Sequence, residues 1–247
     1  MTYRVTLGSS VYKSSKWMQL FLENVVQQTI FDQCKLHLID ANSPDNEYEI
    51  IKPFLKEYSN IYYERLDYDP GATAVQNMTI KASESEYHTI ANTDDKMFPT
   101  CLEEHIKIMD EDPEIDLVYC QNATTFDYET SFDSLNQILL FPTAEFSIEN
   151  MLTFNLPHNH PVWRRSMHDD CGYFEEERWP VNADYEFWLR CVYRGKNFKL
   201  LNKILGVYFR NPEGASTKEE DMERNVRHSN EIRQMYIDLF KERGLNA

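Results

Sequence analysis

The chain has 247 residues, 42% of them hydrophobic, which is enough to bury a full core in one large domain and excludes a disordered chain. Forty-one acidic residues against 25 basic ones leave a net charge of −16, which repels phosphate backbones and argues against nucleic acid as a partner. The same field repels a free nucleoside diphosphate, so a site for one has to carry a cation or local arginines.

Residues 3–7 and 35–39 read as short strands. The helix between them, Ser15 to Thr29, places Trp17, Leu20, Phe21, Asn24, Val25 and Gln28 on one face, with a serine as candidate N-cap. Helices over 46–58 and 72–82 then alternate with strands over 61–65 and 87–91; Pro99 opens a helix to Met109, and 115–120 forms a fifth strand. Such alternation predicts an α/β layered fold with parallel strands.

Residues 121–146 are polar, acidic and aromatic without a period, and read as an irregular excursion or hairpin. A strand at 162–164, a short helix ended by Gly172 and a helix over NADYEFWLRCVYR ended by Gly195 follow. Residues 198–201 and 204–210 look like a closing strand pair.

From Lys218 to Arg243 runs an amphipathic helix whose Met222, Val226, Ile232, Met235, Tyr236, Leu239 and Phe240 are expected to pack on the core or to serve in a homodimer. Five cysteines without a CxxC pair or a nearby histidine pattern read as reduced, mostly buried thiols. The opening MTYRVTLGSS lacks the apolar core of a signal peptide and no window is apolar enough to span a bilayer. The expectation is a soluble, cytoplasmic protein with no integral membrane segment.

In open parallel sheets, ligands bind beyond the carboxyl ends of the strands. The loops there offer Gly8 to Ser15 with Tyr12, then Asp40, Asn42 and Ser43, then Asn92, Asp94 and Asp95. Neither GxGxxG nor GxxxxGK[ST] occurs among only seven glycines, so phosphate must be held another way. A pair such as Asp94 and Asp95 repels itself unless a hard cation, Mg²⁺ or Mn²⁺, joins it. Each of these carboxylates, and Asp184 in the first turn of its helix, also fits a plain turn or cap role.

Taken in order, LGSSVYKSSKWMQLFLENVVQQT, LHLIDANSPD, AVQNMTIKASESEYHTIANTDDKMFP, WRRSMHDDCGYFEEE, ADYEFWLRC and VYFRNPEGAST resemble the successive motifs of the family 2 glycosyltransferases over residues 3–217. The resemblance implies a GT-A fold, with a Rossmann-like, mostly parallel central sheet flanked by helices. Residues 1–120 would form the nucleotide-binding half, 121–217 the acceptor-binding half, and 218–247 a C-terminal helix packed on the core.

The resemblance further implies an inverting transfer from a nucleoside-diphosphate-sugar donor to a hydroxyl of a glycan or glycoconjugate, assisted by Mn²⁺ or Mg²⁺. Asn92, Thr93 and Asp94 align with the DxD motif, with Asp94 as metal ligand and Asp95 beside it. Ser9, Tyr12, Asp40, Asn77 and Arg210 complete the donor site. Asp184 matches the base of the Glu-Asp motif, which deprotonates the acceptor hydroxyl.

Asn92, Ala41, Gln76 and Ala183 stand where the family has an acid, an acid, an arginine and a glutamate. This thinning keeps open a binding or scaffold protein without turnover. A sugar-phosphate nucleotidyltransferase would share the layered fold, but GSSVYKSS replaces its glycine-rich loop. His158 or His160 could add a metal ligand, and Arg164 or Arg165 could join Arg210 at phosphate. Trp163, Trp179 and Trp188 fit either core packing or sugar stacking.

Overall fold

A computed structural model describes residues 2–132, 139–214 and 217–244. Among them nine strands form one sheet: β1 (Val5–Val11), β2 (Cys34–Asp40), β3 (Ile61–Arg65), β4 (Tyr87–Ile90), β5 (Lys96–Met97), β6 (Leu117–Thr125), β7 (Leu139–Leu140), β8 (Val162–Arg164) and β9 (Phe198–Phe209). The order is β3-β2-β1-β4-β8-β6-β9-β5, with β7 on the flank of β6. The long ladders, β1 with β2 and β4, β2 with β3, and β6 with β9, are parallel; those of β5, β7 and β8 are short and antiparallel.

Side-chain alternation sorts the core onto the two faces of the sheet. Val118 and Cys120 of β6 point with Leu7, Leu36 and Leu38 toward α1 (Ser15–Val25), α2 (Glu47–Glu57) and α4 (Cys101–Glu111). Leu117 and Tyr119 point with Trp163 and Phe198 toward α5 (Ile148–Thr153), α6 (Met167–Cys171), α7 (Ala183–Tyr193) and α8 (Glu219–Glu242), and Ile80 of α3 (Ala72–Lys81) joins them. All three tryptophans considered for sugar stacking, Trp163, Trp179 and Trp188, are buried core residues.

Three expectations change. The closing strand pair is one continuous strand, because a register irregularity at Cys120 to Asn122 of β6 absorbs the break that Asn202 and Lys203 suggest. The 121–146 stretch begins as strand, since β6 runs on to Thr125 and β7 pairs back on it, while residues 133–138 of that stretch lie outside the described ones. In α8 only the second half packs: Ile232, Tyr236 and Phe240 are buried, whereas Met222 and Val226 are exposed. Tyr236 donates to the buried Glu186 of α7 at 2.7 Å, and Arg190 donates to the same carboxylate at 2.7 Å, which fixes the docking of the helix. No helix among the described residues is long and apolar enough to cross a membrane.

Close contact between β1 and α3 rests on Gly8. A Cβ there would lie 2.1 Å from Thr79 Oγ1, which is buried and donates to the Gln76 carbonyl at 2.8 Å. Gly8→Ala therefore overpacks the interface and is expected to cost about 1–3 kcal/mol. A lowered urea midpoint with an unchanged slope is the expected reading.

Candidate active site

At the carboxyl rim of the sheet, the first two loops are tied together from below. Glu47, at the start of α2 and fully buried, accepts from the Ser14 N–H at 2.8 Å and from the Ser43 hydroxyl at 2.9 Å. Ser14 sits at the N-cap of α1 but makes no side-chain capping bond, because its hydroxyl turns to Glu47. Asp40, at the end of β2, is also fully buried, and its oxygens accept from the Ser43 N–H, the Tyr63 hydroxyl and Arg65 Nη1, each at 2.7 Å. Asp40 thus ties the loop after β2 to β3, whereas Tyr12, on the loop after β1, is exposed.

The β4 loop carries the acidic pair. Asp94 is partly buried, and its Oδ2 accepts from Asn211 Nδ2 at 2.9 Å. Burial raises its carboxyl above the usual range, opposed by the Asn211 bond and by the Lys16 ammonium nearby. Lys16 in turn pairs with Glu213 at 2.6 Å, so the segment after β9 closes over this corner through two contacts.

Asp95 points inward. Its Oδ1 accepts from the Phe209 N–H at 3.1 Å and its Oδ2 from Asn92 Nδ2 at 3.1 Å, which latches the β4 loop to the end of β9. Burial, and then the charge of Asp94, push its carboxyl up to about 8. The two neighbouring acids hold more negative charge than the surrounding donors neutralise.

A proton that the unfolded chain gives up near pH 4 is therefore held in the folded chain until about pH 8. The folded state binds more protons across that window, so this group lowers stability progressively as pH rises through it. In cation-free buffer, Asp95→Asn is expected to gain stability relative to the parent chain between about pH 5 and about pH 8. Urea midpoints at both pH values check this, and a difference that does not change with pH contradicts it.

Asp184 lies in the first turn of α7, partly buried, with its Oδ2 accepting from Asn155 Nδ2 at 2.8 Å. Burial raises its carboxyl, against the Asn155 bond, which favours a group able to take up a proton. Asn159 lies near Asp95, its backbone carbonyl accepting from Asn122 Nδ2 at 3.2 Å. Asn155 and Asn159 are four residues apart, a reach of at most roughly 14 Å between their Cα atoms. One end of this segment thus meets Asp184 through Asn155, and Asn159, four residues on, lies on the Asp95 side. Thr73 at the start of α3 donates to the Pro180 carbonyl at 2.9 Å, bringing the approach to α7 onto the same rim.

Other expected site residues take different places. Strand β1 runs through Val11 and not only to residue 7, so Ser9 lies within the sheet, buried, with its hydroxyl unpartnered among the described residues. Asn77 is buried and clamps α3 to the turn after α6: it donates to the Phe174 carbonyl at 2.9 Å and to Glu176, and accepts from the Phe174 N–H at 3.1 Å. Thr93 is buried and its carbonyl accepts from Tyr128, whereas Asn92 is exposed. Arg210 is exposed beyond β9, its guanidinium 6.0 Å from the Phe126 ring centre.

Arg164 and Arg165 sit at the opposite end of β4. Arg164 bonds the Ile115 and Met109 carbonyls and Glu86, and Arg165 pairs with Asp169. Neither reaches the acidic corner. His158 stacks on Phe141 at 3.6 Å between ring centres, and His160 Nδ1 lies 3.3 Å from Asn122 Oδ1; both are packed in the interior, which lowers their basicity. Lys16, Asn155, Asn159 and Asn211 had not been singled out. Asn211 could have been, since it directly follows Arg210 in VYFRNPEGAST, but no motif marks Asn155 or Asn159.

A sequence model of glycosyl transferase family 2 matches residues 9–170, well over half of the chain. The chain belongs to this family. It is 22% identical over 199 residues to an uncharacterized glycosyltransferase of Methanocaldococcus jannaschii, covering 78% of this chain and 66% of that protein. It is 26% identical over 95 residues to the glycosyltransferase GlyG of Streptococcus pneumoniae, covering 38% and 31%.

Among solved structures, residues 1–349 of S. aureus TarS in complex with UDP superpose with a TM-score of 0.72 at 17% identity, over 96% of this chain and 65% of that one. The mannosyltransferase PcManGT from Pyrobaculum calidifontis, in complex with GDP-Man and Mn²⁺, gives 0.65 at 16% identity, over 87% and 59%. The fold of this family 2 member is therefore the GT-A type, a mostly parallel, Rossmann-like sheet with helices on both faces. The chain spans about two thirds of the length of these relatives, or less.

Proposed function

We propose that this family 2 chain transfers a sugar from a nucleoside-diphosphate donor to a hydroxyl of a glycan or glycoconjugate, with inversion, Asp184 acting as base. What supports the reading is the pair of acidic centres at strand ends and helix starts, Asp94 with Asp95 after β4 and Asp184 in the first turn of α7, whose neighbours Asn159 and Asn155 lie four residues apart on one segment. The two halves of the domain, 1–120 and 121–217, would bring donor and acceptor to these centres.

Hard oxygen donors with excess negative charge suit Mn²⁺ or Mg²⁺, which take carboxylates together with phosphate oxygens. Asp94 fits as ligand, since it is the more open acid, and Asp95 fits as its positioning neighbour. When bound, the ion supplies positive charge against the departing diphosphate. Lys16, which lies near Asp94, and Arg210, exposed beyond β9, would add to it. Tyr12 would stack on the base near Asp40, and Asn92 with Thr93 would border the ribose.

A sugar hydroxyl is a weak nucleophile until a base takes its proton. Asp184, held by Asn155 and raised by burial, would accept that proton on the face away from the leaving group. Attack from that face inverts the anomeric centre. TarS has been solved with UDP and with UDP-GlcNAc, and PcManGT with GDP-Man, so uridine and guanosine diphospho-sugars are the first donors to test. Product configuration by NMR is expected to be opposite to that of the donor; a product of the same configuration would overturn the in-line base assignment.

A further inference from the structure

Cys101 and His105 stand one turn apart on α4, and so on the same helix face. That face packs on the side of the sheet toward which Cys120 of β6 points. One donor atom from each of the three residues lies within 4.8 Å of the others, and all three side chains are at most 1% exposed. Cys101 and His105 are spaced C-x₃-H on α4, and Cys120 of β6, the next element in the chain, completes the cluster.

His105 supplies the independent sign of a ligand. Its Nδ1 donates to the Cys101 carbonyl at 2.7 Å, which fixes the tautomer and leaves Nε2 with its lone pair. That Nε2 is buried without a hydrogen-bond partner among the described residues. A buried acceptor left unmatched costs free energy, and an imidazole whose other nitrogen is anchored to a backbone carbonyl is the usual arrangement of a metal-bound histidine.

We propose that Cys101, His105 and Cys120 form a buried structural site for a thiophilic divalent cation, Zn²⁺ by its chemistry, separate from the Asp94–Asp95 pair. Two thiolates and a neutral imidazole balance a divalent charge to zero, which a fully buried site requires. Soft sulfur ligands select Zn²⁺ over the Mn²⁺ or Mg²⁺ that suit Asp94. The ion would enter during folding and tie α4 to the centre of the sheet.

Zinc content of protein purified from zinc-supplemented cells tests the site. The expected result is about one zinc per chain, retained in Asp94→Asn and lost in the Cys101→Ser, Cys120→Ser double variant. Replacement of the metal by Co²⁺ in the unmutated protein is expected to give thiolate-to-cobalt charge-transfer absorption, a readout that stands even where the double variant does not fold. Metal content that survives the double substitution, cobalt uptake without thiolate absorption, a protein that takes up neither metal, or a Cys101–Cys120 disulfide found by peptide mapping would each overturn the proposal.

Discussion

Asp184→Asn is expected to lower sugar transfer by about 10²- to 10⁴-fold while leaving donor affinity close to that of the parent chain. The substitution keeps size, and the Asn155 contact can be kept through the new side-chain oxygen. What it removes is the capacity to take a proton. A base acts in the transition state alone, so the loss belongs in kcat and not in donor binding. Steady-state kinetics with a fixed acceptor separate the two. A variant that loses donor affinity and turnover together would instead make Asp184 a donor contact or a folding residue. Equal turnover in both proteins would remove it from the chemistry.

The second large effect is expected at Asp94. Asp94→Asn leaves the Asn211 neighbour in place but takes away the charge that a divalent cation needs, so donor affinity in Mn²⁺ should fall at least about 100-fold. The fall should shrink toward nothing in EDTA, because the parent chain then lacks the same cation. Titration calorimetry of the two proteins with and without Mn²⁺ reads this directly. An identical loss in EDTA would assign Asp94 a direct contact with nucleotide and not a metal role. Asp95 behaves differently in this account, since both its oxygens are spent on Asn92 and Phe209. Its substitution should disturb the loop that carries Asp94 as much as the charge.

The nucleotide half of the fold was legible because its elements are short, periodic and punctuated. The strand at 61–65 and the helix start at 72 are found where the pattern puts them, and the alternation of strand and helix gave the parallel ladders. Burial patterns that depend on a distant partner were not legible. Met222 and Val226 share the apolar period of Ile232 and Phe240, yet only the latter meet α7, because the helix outruns the surface that covers it. Residues 198–201 and 204–210 read as two strands, but β9 runs on through Asn202 and Lys203, which the β6 ladder skips as it passes from Leu201 to Ile204.

For the site, the sequence placed the carboxylates and not what they bond to. Asp40, Asp94, Asp95 and Asp184 all lie at the rim where strand ends and helix starts predict them. Which of them face a ligand depends on partners more than 20 residues away: Arg65 on Asp40, Asn211 on Asp94, Phe209 on Asp95, Asn155 on Asp184. Asn77 shows the same limit from the other side. Its amide is consumed by the turn at Phe174, nearly a hundred residues on, and no local pattern announces that contact.

The most direct test of the central claim is a thermal-shift panel of nucleoside diphosphates and nucleotide sugars, with Mn²⁺, with Mg²⁺ and with EDTA. A ligand present at about a hundred times its Kd adds about 2.7 kcal/mol, which for a chain of this size raises Tm by roughly 5 to 10 °C. Such a rise is expected for at least one nucleoside diphosphate and its sugar, dependent on the divalent cation and absent in Asp94→Asn. No shift with any nucleotide under any cation would contradict it.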